Sequence, residues 1–379
     1  MKLISQLILP QRPFNEDRLC YAFADWAGNG FIAFTGSETK HISPSLVVTD
    51  LPIREEPTAE LTELNETGKL VAQKWALCLS EEGSEFYLAV SLFSFKQSED
   101  KTGVDLLVQV MSASHVLLRQ VAYKWVKYDF IPLGCPITIS PCGKLIAINA
   151  LYGGITLLSG SPEYELHIRA NDGEFAHNFP SIHRVISPQV AMGLGYDNSH
   201  CTTLSLINLD VGTVEHLDCD LPQMKDASLV LDKWGGPVGL YGYSCGSASW
   251  YLHKIQLNRR RSGLTDIASD TYIQIDGLAL DQVVAPSGTI YTLFAAPQPD
   301  ANSGSLTLVA HDADLNELSR EDFLVVHPFA GCPDPKIYIR NAMLCLSPEE
   351  NWLGVFLYGD LPDTDDYNFN RMFLFKAVQ

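Results

Sequence analysis

The chain has 379 residues, 46% of them hydrophobic and 19% charged, with 26 basic against 45 acidic side chains and a formal net charge of −19. That apolar content supports a sizeable core and excludes a disordered chain, which is poorer in apolar residues and richer in charge. The acidity argues against nucleic acid and anionic membrane as main partners, because phosphate binding needs a basic stripe. No apolar run reaches about 18 residues, so no spanning helix or membrane insertion is expected.

In chain order, the first element is an alternating run at residues 3–9. It is too short for a secretory core and has no small-residue cleavage site, so it reads as a strand. A motif then recurs: a short apolar run, a turn-forming Ser or Asp, usually a Gly three residues later, and a second apolar run. Its marker positions are Asp25, Ser80, Ser140, Ser187, Asp232, Ala285 and Ser347, with a mean gap of about 54 residues. Ser140-Pro141-Cys142-Gly143 is the clearest copy; those around Asp25 and Asp232 are the weakest, each with a nearby Trp. The motif is a β-hairpin: Ser or Asp bonds nearby backbone, Pro fixes φ, and Gly takes a left-handed conformation at low cost.

Downstream of each marker comes a β-rich run, beginning at or near Leu46, Leu106, Ile155, Leu204, Trp250, Leu306 and Met372. Each repeat therefore supplies about four strands, and no amphipathic helix of 12 residues is found. The last repeat runs out after its third strand, so residues 3–9 are expected to pair beside residues 371–378 and supply the fourth. That pairing removes two exposed sheet edges.

With these repeats the chain resembles the WD-repeat and related β-propeller superfamily over essentially its full length, although no Trp-Asp dipeptide occurs. The resemblance implies an all-β fold, a seven-bladed β-propeller of four-stranded blades. It would form a single domain over residues 1–379, closed by the N-terminal strand. Loops on one face of such a ring carry function. The second-to-third-strand connections expected to be long and polar are residues 35–45, 95–103, 297–305 and 359–370, in blades that are consecutive around a closed ring. They nominate a partner-binding rim of Lys40, His41, Lys96, Glu99, Asp100, Asp300, Asp360, Asp363, Asp365, Asp366 and Tyr367. The competing reading is that these are tolerated insertions.

The remaining chemistry is sparse. The carboxylates at 360–366 lack the ligand order of a calcium loop and read as a solvated acidic loop, suited to a partner with a basic surface. His311-Asp312-Ala313-Asp314 reads as the turn between two outer strands. Arg259-Arg260-Arg261 is too short for a nucleic-acid stripe. The ten histidines are scattered, with His177 and His183 the nearest pair, and no metal or cofactor motif appears. Nine cysteines without a Cys-x-x-Cys pair point to reduced thiols in a cytosolic or nuclear compartment. Cys78 and Cys345 are expected as small packing residues on inner strands.

No nucleophile elbow or phosphate loop is present. The expectation is a non-catalytic protein–protein interaction scaffold, a subunit of a larger intracellular assembly, with no cofactor. Two alternatives stand beside it. One is a hydrolase- or lactonase-like propeller enzyme at the channel mouth; the other is a glycan-binding propeller using Trp26 and Trp234.

Overall fold

The computed structural model describes residues 1–8, 23–27, 30–34, 39–51, 69–80, 83–98, 101–114, 116–125, 137–139, 143, 145–149, 155–159, 165–169, 181–187, 190–197, 200–208, 213–217, 221–222, 224–231, 237–245, 249–259, 265–297, 304–326, 339–347, 349–359 and 369–378. Every regular element among them is a β-strand, and all the pairings described are antiparallel.

After β1 (Lys2–Ile8) come three four-stranded meanders. The first is β2 (Phe23–Ala27), β3 (Gly30–Phe34), β4 (Thr39–Ile42) and β5 (Val48–Leu51). The second is β6 (Lys69–Leu79), β7 (Glu85–Ser98), β8 (Lys101–Ser112) and β9 (Leu117–Trp125). The third is β10 (Ile137–Ile139), β11 (Leu145–Asn149), β12 (Ile155–Ser159) and β13 (Glu165–Arg169). Then follow β14 (Ser181–Ser187), β15 (Val190–Asp197), β16 (His200–Asn208) and β17 (Thr213–Leu217). They share one sheet with β18 (Met224–Leu231), β19 (Pro237–Cys245), β20 (Trp250–Arg259) and β21 (Thr265–Ile275), and a single bridged pair, Cys201 with Met224, links β16 to β18. The next sheet is β22 (Leu278–Val284), β23 (Ile290–Pro297), β24 (Gly304–His311) and β25 (Glu317–Val326). In the last, β26 (Ile339–Leu346), β27 (Trp352–Gly359) and β28 (Phe369–Lys376) take β1 as their fourth strand. The pairing expected of the N-terminal strand is present, from Lys2 opposite Lys376 to Ile8 opposite Arg371.

Two compact units divide the chain. One comprises Met1–Glu16, Tyr196–Leu204 and His216–Gln379; the other comprises Asp17–Gly195 and Ser205–Glu215. Within the second unit the first strands of successive sheets approach one another, β2 with β6, β6 with β10 and β10 with β14. Within the first unit β18 approaches β22, and β22 approaches β26.

The marker turns explain the repeat. The Ser80 amide donates to the Ser84 carbonyl (2.9 Å) and the Gly83 amide returns to the Ser80 carbonyl (2.9 Å). The same pair of bonds recurs at Ala285 with Thr289 and Gly288, and a longer version at Ser347 with Trp352 and Glu350. Such a turn needs a left-handed residue at its third step. Gly83, Gly143 and Gly288 supply it, with φ of 79°, 68° and 92°, and Glu350 takes the same region at 54°. Gly143 is doubly constrained, because a Cβ there would lie 2.7 Å from the Phe86 ring. The marker hydroxyl completes the turn: Ser80 Oγ accepts from the Ser84 amide at 2.9 Å, and Ser347 Oγ accepts from the Asn351 and Trp352 amides at 3.1 Å.

The same device closes the outer hairpins, at Ser43 with Leu46 (φ 62°) and at Asp312 with Leu315 (φ 66°). Asp312 therefore lies where the sequence places it, in the turn from β24 to β25. Leu46, expected to open a strand, is in this turn, and β5 starts two residues later. Asp25 is also corrected: it sits inside β2 opposite Ile32, in a pairing that runs on to Ala27 opposite Gly30. Trp26 is likewise in β2, opposite Phe31, so it is a strand residue rather than a turn residue.

The β22–β25 sheet is covered on both faces. On one face Tyr291, Leu293, Leu306 and Leu308 pack with Leu353, Val355, Phe373 and Phe375 of the last sheet. On the other, Ile290, Phe294 and Val309 pack with Tyr241, Leu252 and Ile275. Burial on both faces makes Tyr291–Ala295 and Ser305–Ala310 continuously buried, where a half-exposed strand would alternate. In β22, consecutive side chains point to opposite faces. Asp281 accepts from the Leu344 amide (2.7 Å), while Gln282 donates to the Tyr241 carbonyl (3.0 Å). One inner strand thus ties both neighbouring sheets through buried polar bonds. Cys78 and Cys345 are buried on β6 and β26, the first strands of their sheets, as packing residues should be.

Candidate functional site

Of the nominated rim residues, Glu99, Asp100, Asp300, Asp360, Asp363, Asp365, Asp366 and Tyr367 lie outside the described residues, as does Trp234. Lys40 and His41 are in β4, so the described part of residues 35–45 is a strand followed by a turn, not a long loop. Lys40 is buried and its ammonium is ion-paired with Asp50, its cross-strand neighbour in β5. His41 is half-buried, and its ring lies over Gly30, where a Cβ would come within 2.8 Å of His41 Nε2.

The reading of residues 95–103 as a polar loop is corrected more strongly. β7 and β8 pair continuously to Ser98 opposite Lys101, with Lys96 opposite Thr102. The described pairings of the flanking strands reach Lys69 opposite Ser94 on β6 and Trp125 opposite Val104 on β9. The hairpin therefore continues as a two-stranded finger, about 13 Å long at roughly 3.3 Å per residue. Among the described residues, no strand pairs with the outer edges of this finger. Its described residues, Phe95-Lys96-Gln97-Ser98 and Lys101-Thr102-Gly103, are mostly polar, a composition that resembles a loop when read locally.

A polar constellation that no sequence motif marks lies on the β18–β21 sheet. Ser244 Oγ is 2.7 Å from His253 Nε2, and His253 Nδ1 is 3.0 and 3.2 Å from the two carboxylate oxygens of Asp270. The three residues sit on adjacent strands β19, β20 and β21. Register explains the meeting: Gly242 and Tyr272 are the direct partners of His253, with Ser244 and Asp270 two residues along their own strands, on the same face. His253 is buried, Ser244 half-buried and Asp270 exposed, and the Tyr272 ring lies 5.4 Å from the imidazole.

His311, at the end of β24, is 5% exposed. Burial holds its pKa below the usual 6.5; Glu317 and Asp312 pull it upward and Arg320 pushes it down. A histidine with a depressed folded pKa contributes stability above its unfolded pKa, and that contribution is lost as pH falls. The unfolding midpoint is therefore expected to drop as pH is lowered from 7.5 to 5, and the drop to be smaller in His311→Gln. Thermal melts across that range check this; equal slopes in both proteins would contradict it.

A cleft of about 380 Å³ lies where the turns after β22 and β26 meet, lined in part by Ser287, Glu349 and Glu350. Glu350 Oε1 is engaged there by the Ser287 amide at 2.8 Å. No helix among the described residues is long and apolar enough to cross a membrane.

No family model and no curated protein matches the chain. Solved structures do. The β-propeller domain of Cps50 (Swd1) from Myceliophteria thermophila is 8% identical and superposes with a TM-score of 0.51, over 100% of this chain and 99% of that one. The Dos1 propeller is 11% identical, with a TM-score of 0.47 over 99% and 94% of the two chains. The WD40 domain of SCAP from fission yeast is 10% identical, with a TM-score of 0.46 over 93% and 82%. At these identities likeness speaks to fold and not to function. From the full-length Cps50 likeness, and from the approach of successive first strands within each unit, the chain has a β-propeller fold.

Proposed function

We propose that this chain is a docking scaffold for protein partners, a subunit of a larger intracellular assembly. In this reading residues 1–379 form one seven-bladed ring in which β1 completes the last blade. The observation that carries the reading is the finger at the end of the β7–β8 hairpin, displayed on a propeller fold. A rigid scaffold with one projecting two-stranded element presents backbone edges and side chains at little ordering cost. Lys96 belongs to the finger, and in this reading Glu99 and Asp100 contribute beside it. His41 sits one sheet away, and Lys40 supports β4 from inside through Asp50. This reading also takes Asp300, Asp360, Asp363, Asp365, Asp366 and Tyr367 as partner-binding residues, the carboxylates suiting a partner with a basic surface. The net charge of −19 favours fast encounter with such a partner.

The test is co-purification of the tagged full chain from its own cells, beside a variant in which residues 96–102 are replaced by Asn-Gly. Partner recovery is expected to fall at least about tenfold, the equivalent of 1.4 kcal/mol of binding, with the melting curve unchanged. A wild-type chain recovered as a partner-free monomer would overturn the proposal.

A further inference from the structure

We infer that Ser244 is an activated nucleophile, able to take an acyl group from an activated carboxylic ester. The inference goes beyond the docking role and does not depend on it. Three features carry it, the first being the polarity of the hydrogen-bond chain. A carboxylate only accepts, so His253 Nδ1–H donates to Asp270, which holds the tautomer that leaves a lone pair on Nε2. That lone pair is 2.7 Å from Ser244 Oγ, within the range a general base needs. Acyl-transfer triads are recognised by this arrangement of roles rather than by sequence order.

The second feature is graded burial. His253 is 6% exposed, while Ser244 at the end of β19 keeps partial access to solvent. The third is the flank of the imidazole towards β19: Gly242, directly opposite His253, places no side chain there, while the Tyr272 ring lies 5.4 Å away on the β21 side. Tyr251, directly opposite Ser244, and Gln274 opposite Tyr251 bring a hydroxyl and an amide to the same face.

The step balances without a cofactor. Ser244 Oγ bonds to the ester carbonyl carbon as its proton passes to His253 Nε2. The carbon–oxygen bond to the leaving alcohol then breaks, and the alcohol departs with that proton. Water repeats the sequence on the acylated serine, releasing the carboxylic acid and restoring Ser244. Asp270 is a positioning residue here, since it touches only the imidazole.

The experiment uses the full chain and a fluorophosphonate probe, with the labelled serine located by peptide mass spectrometry. Labelling at Ser244 is expected, with its rate falling at least about 100-fold in His253→Ala. In Asp270→Asn labelling is also expected to slow, with a changed pH–rate profile, and p-nitrophenyl acetate turnover should fall in parallel. Circular dichroism and melting curves confirm folding; should His253→Ala fail to fold, the exposed Asp270→Asn carries the test. A folded wild-type chain left unlabelled at Ser244, or labelling at equal rates in wild type and a folded His253 or Asp270 variant, would overturn the inference. Partner recovery by Ser244→Ala is expected to match wild type, which separates this result from that of the docking proposal.

Discussion

Phe373→Ala is expected to lower the unfolding free energy by about 3–5 kcal/mol, the range for deleting a buried aromatic ring. Phe373 lies in β28 at 1% exposure, facing Tyr291, Leu293, Leu306 and Leu308 across the seam to the β22–β25 sheet. Phe323 stands edge-on to it at 4.9 Å and to Phe375 at 5.1 Å, so the substitution removes a ring pair as well as area. Such a pair is worth about 0.5–1.5 kcal/mol beyond burial. Strands on both sides of the seam are fixed by their own ladders, which limits collapse into the cavity. Urea unfolding, followed by near-ultraviolet circular dichroism, measures the loss. The exposed Leu318→Ala serves as control and should stay within about 0.5 kcal/mol. A Phe373→Ala loss below about 1 kcal/mol would mean that this seam is not packed as described.

Deleting residues 1–8 is expected to cost about 3 kcal/mol or more, from the burial that Met1 and Leu3 contribute to the same seam. The deletion also strips six paired positions from β28. It leaves an apolar edge strand, Met372–Phe375, with unpaired backbone groups, a template for association with other chains. The Met1 amino group, 2.8 Å from Ser319 Oγ, is lost with it. Size-exclusion chromatography should show higher oligomers, and the melting transition should shift down and broaden. A truncated chain that stays monomeric and melts as the full chain does would show that β1 is dispensable to the last sheet.

Local chemistry wrote the turns into the sequence. Ser80, Ser347 and Asp312 each bond an amide four residues on, and a glycine or a tolerated left-handed residue stands at the third step. These are contacts within five residues, so spacing alone reveals them, and the repeat of about 54 residues follows. The partner strand for residues 3–9 was legible for a related reason: the last repeat lacks one strand. The all-β character needed only strand-length apolar runs between turn signals.

What the sequence could not show depends on register and on neighbours. Residues 95–103 look like a polar loop because Lys96-Gln97-Ser98 and Lys101-Thr102-Gly103 carry no apolar alternation; only the continued pairing of β7 with β8 reveals a hairpin there. Lys40 looks like a rim cation, yet cross-strand pairing places Asp50 beside it and burial withdraws it from solvent. The same pairing decided the polar chain on the β18–β21 sheet. Ser244 and His253 are 9 residues apart and His253 and Asp270 are 17 apart, on three strands, and a shift of one residue would turn any of them to the opposite face. The sequence by itself therefore determined the repeat, its turns and the need for a strand from the N-terminus. Tertiary structure decided which polar side chains meet, because a contact between strands depends on register, a property of pairing that no local pattern encodes.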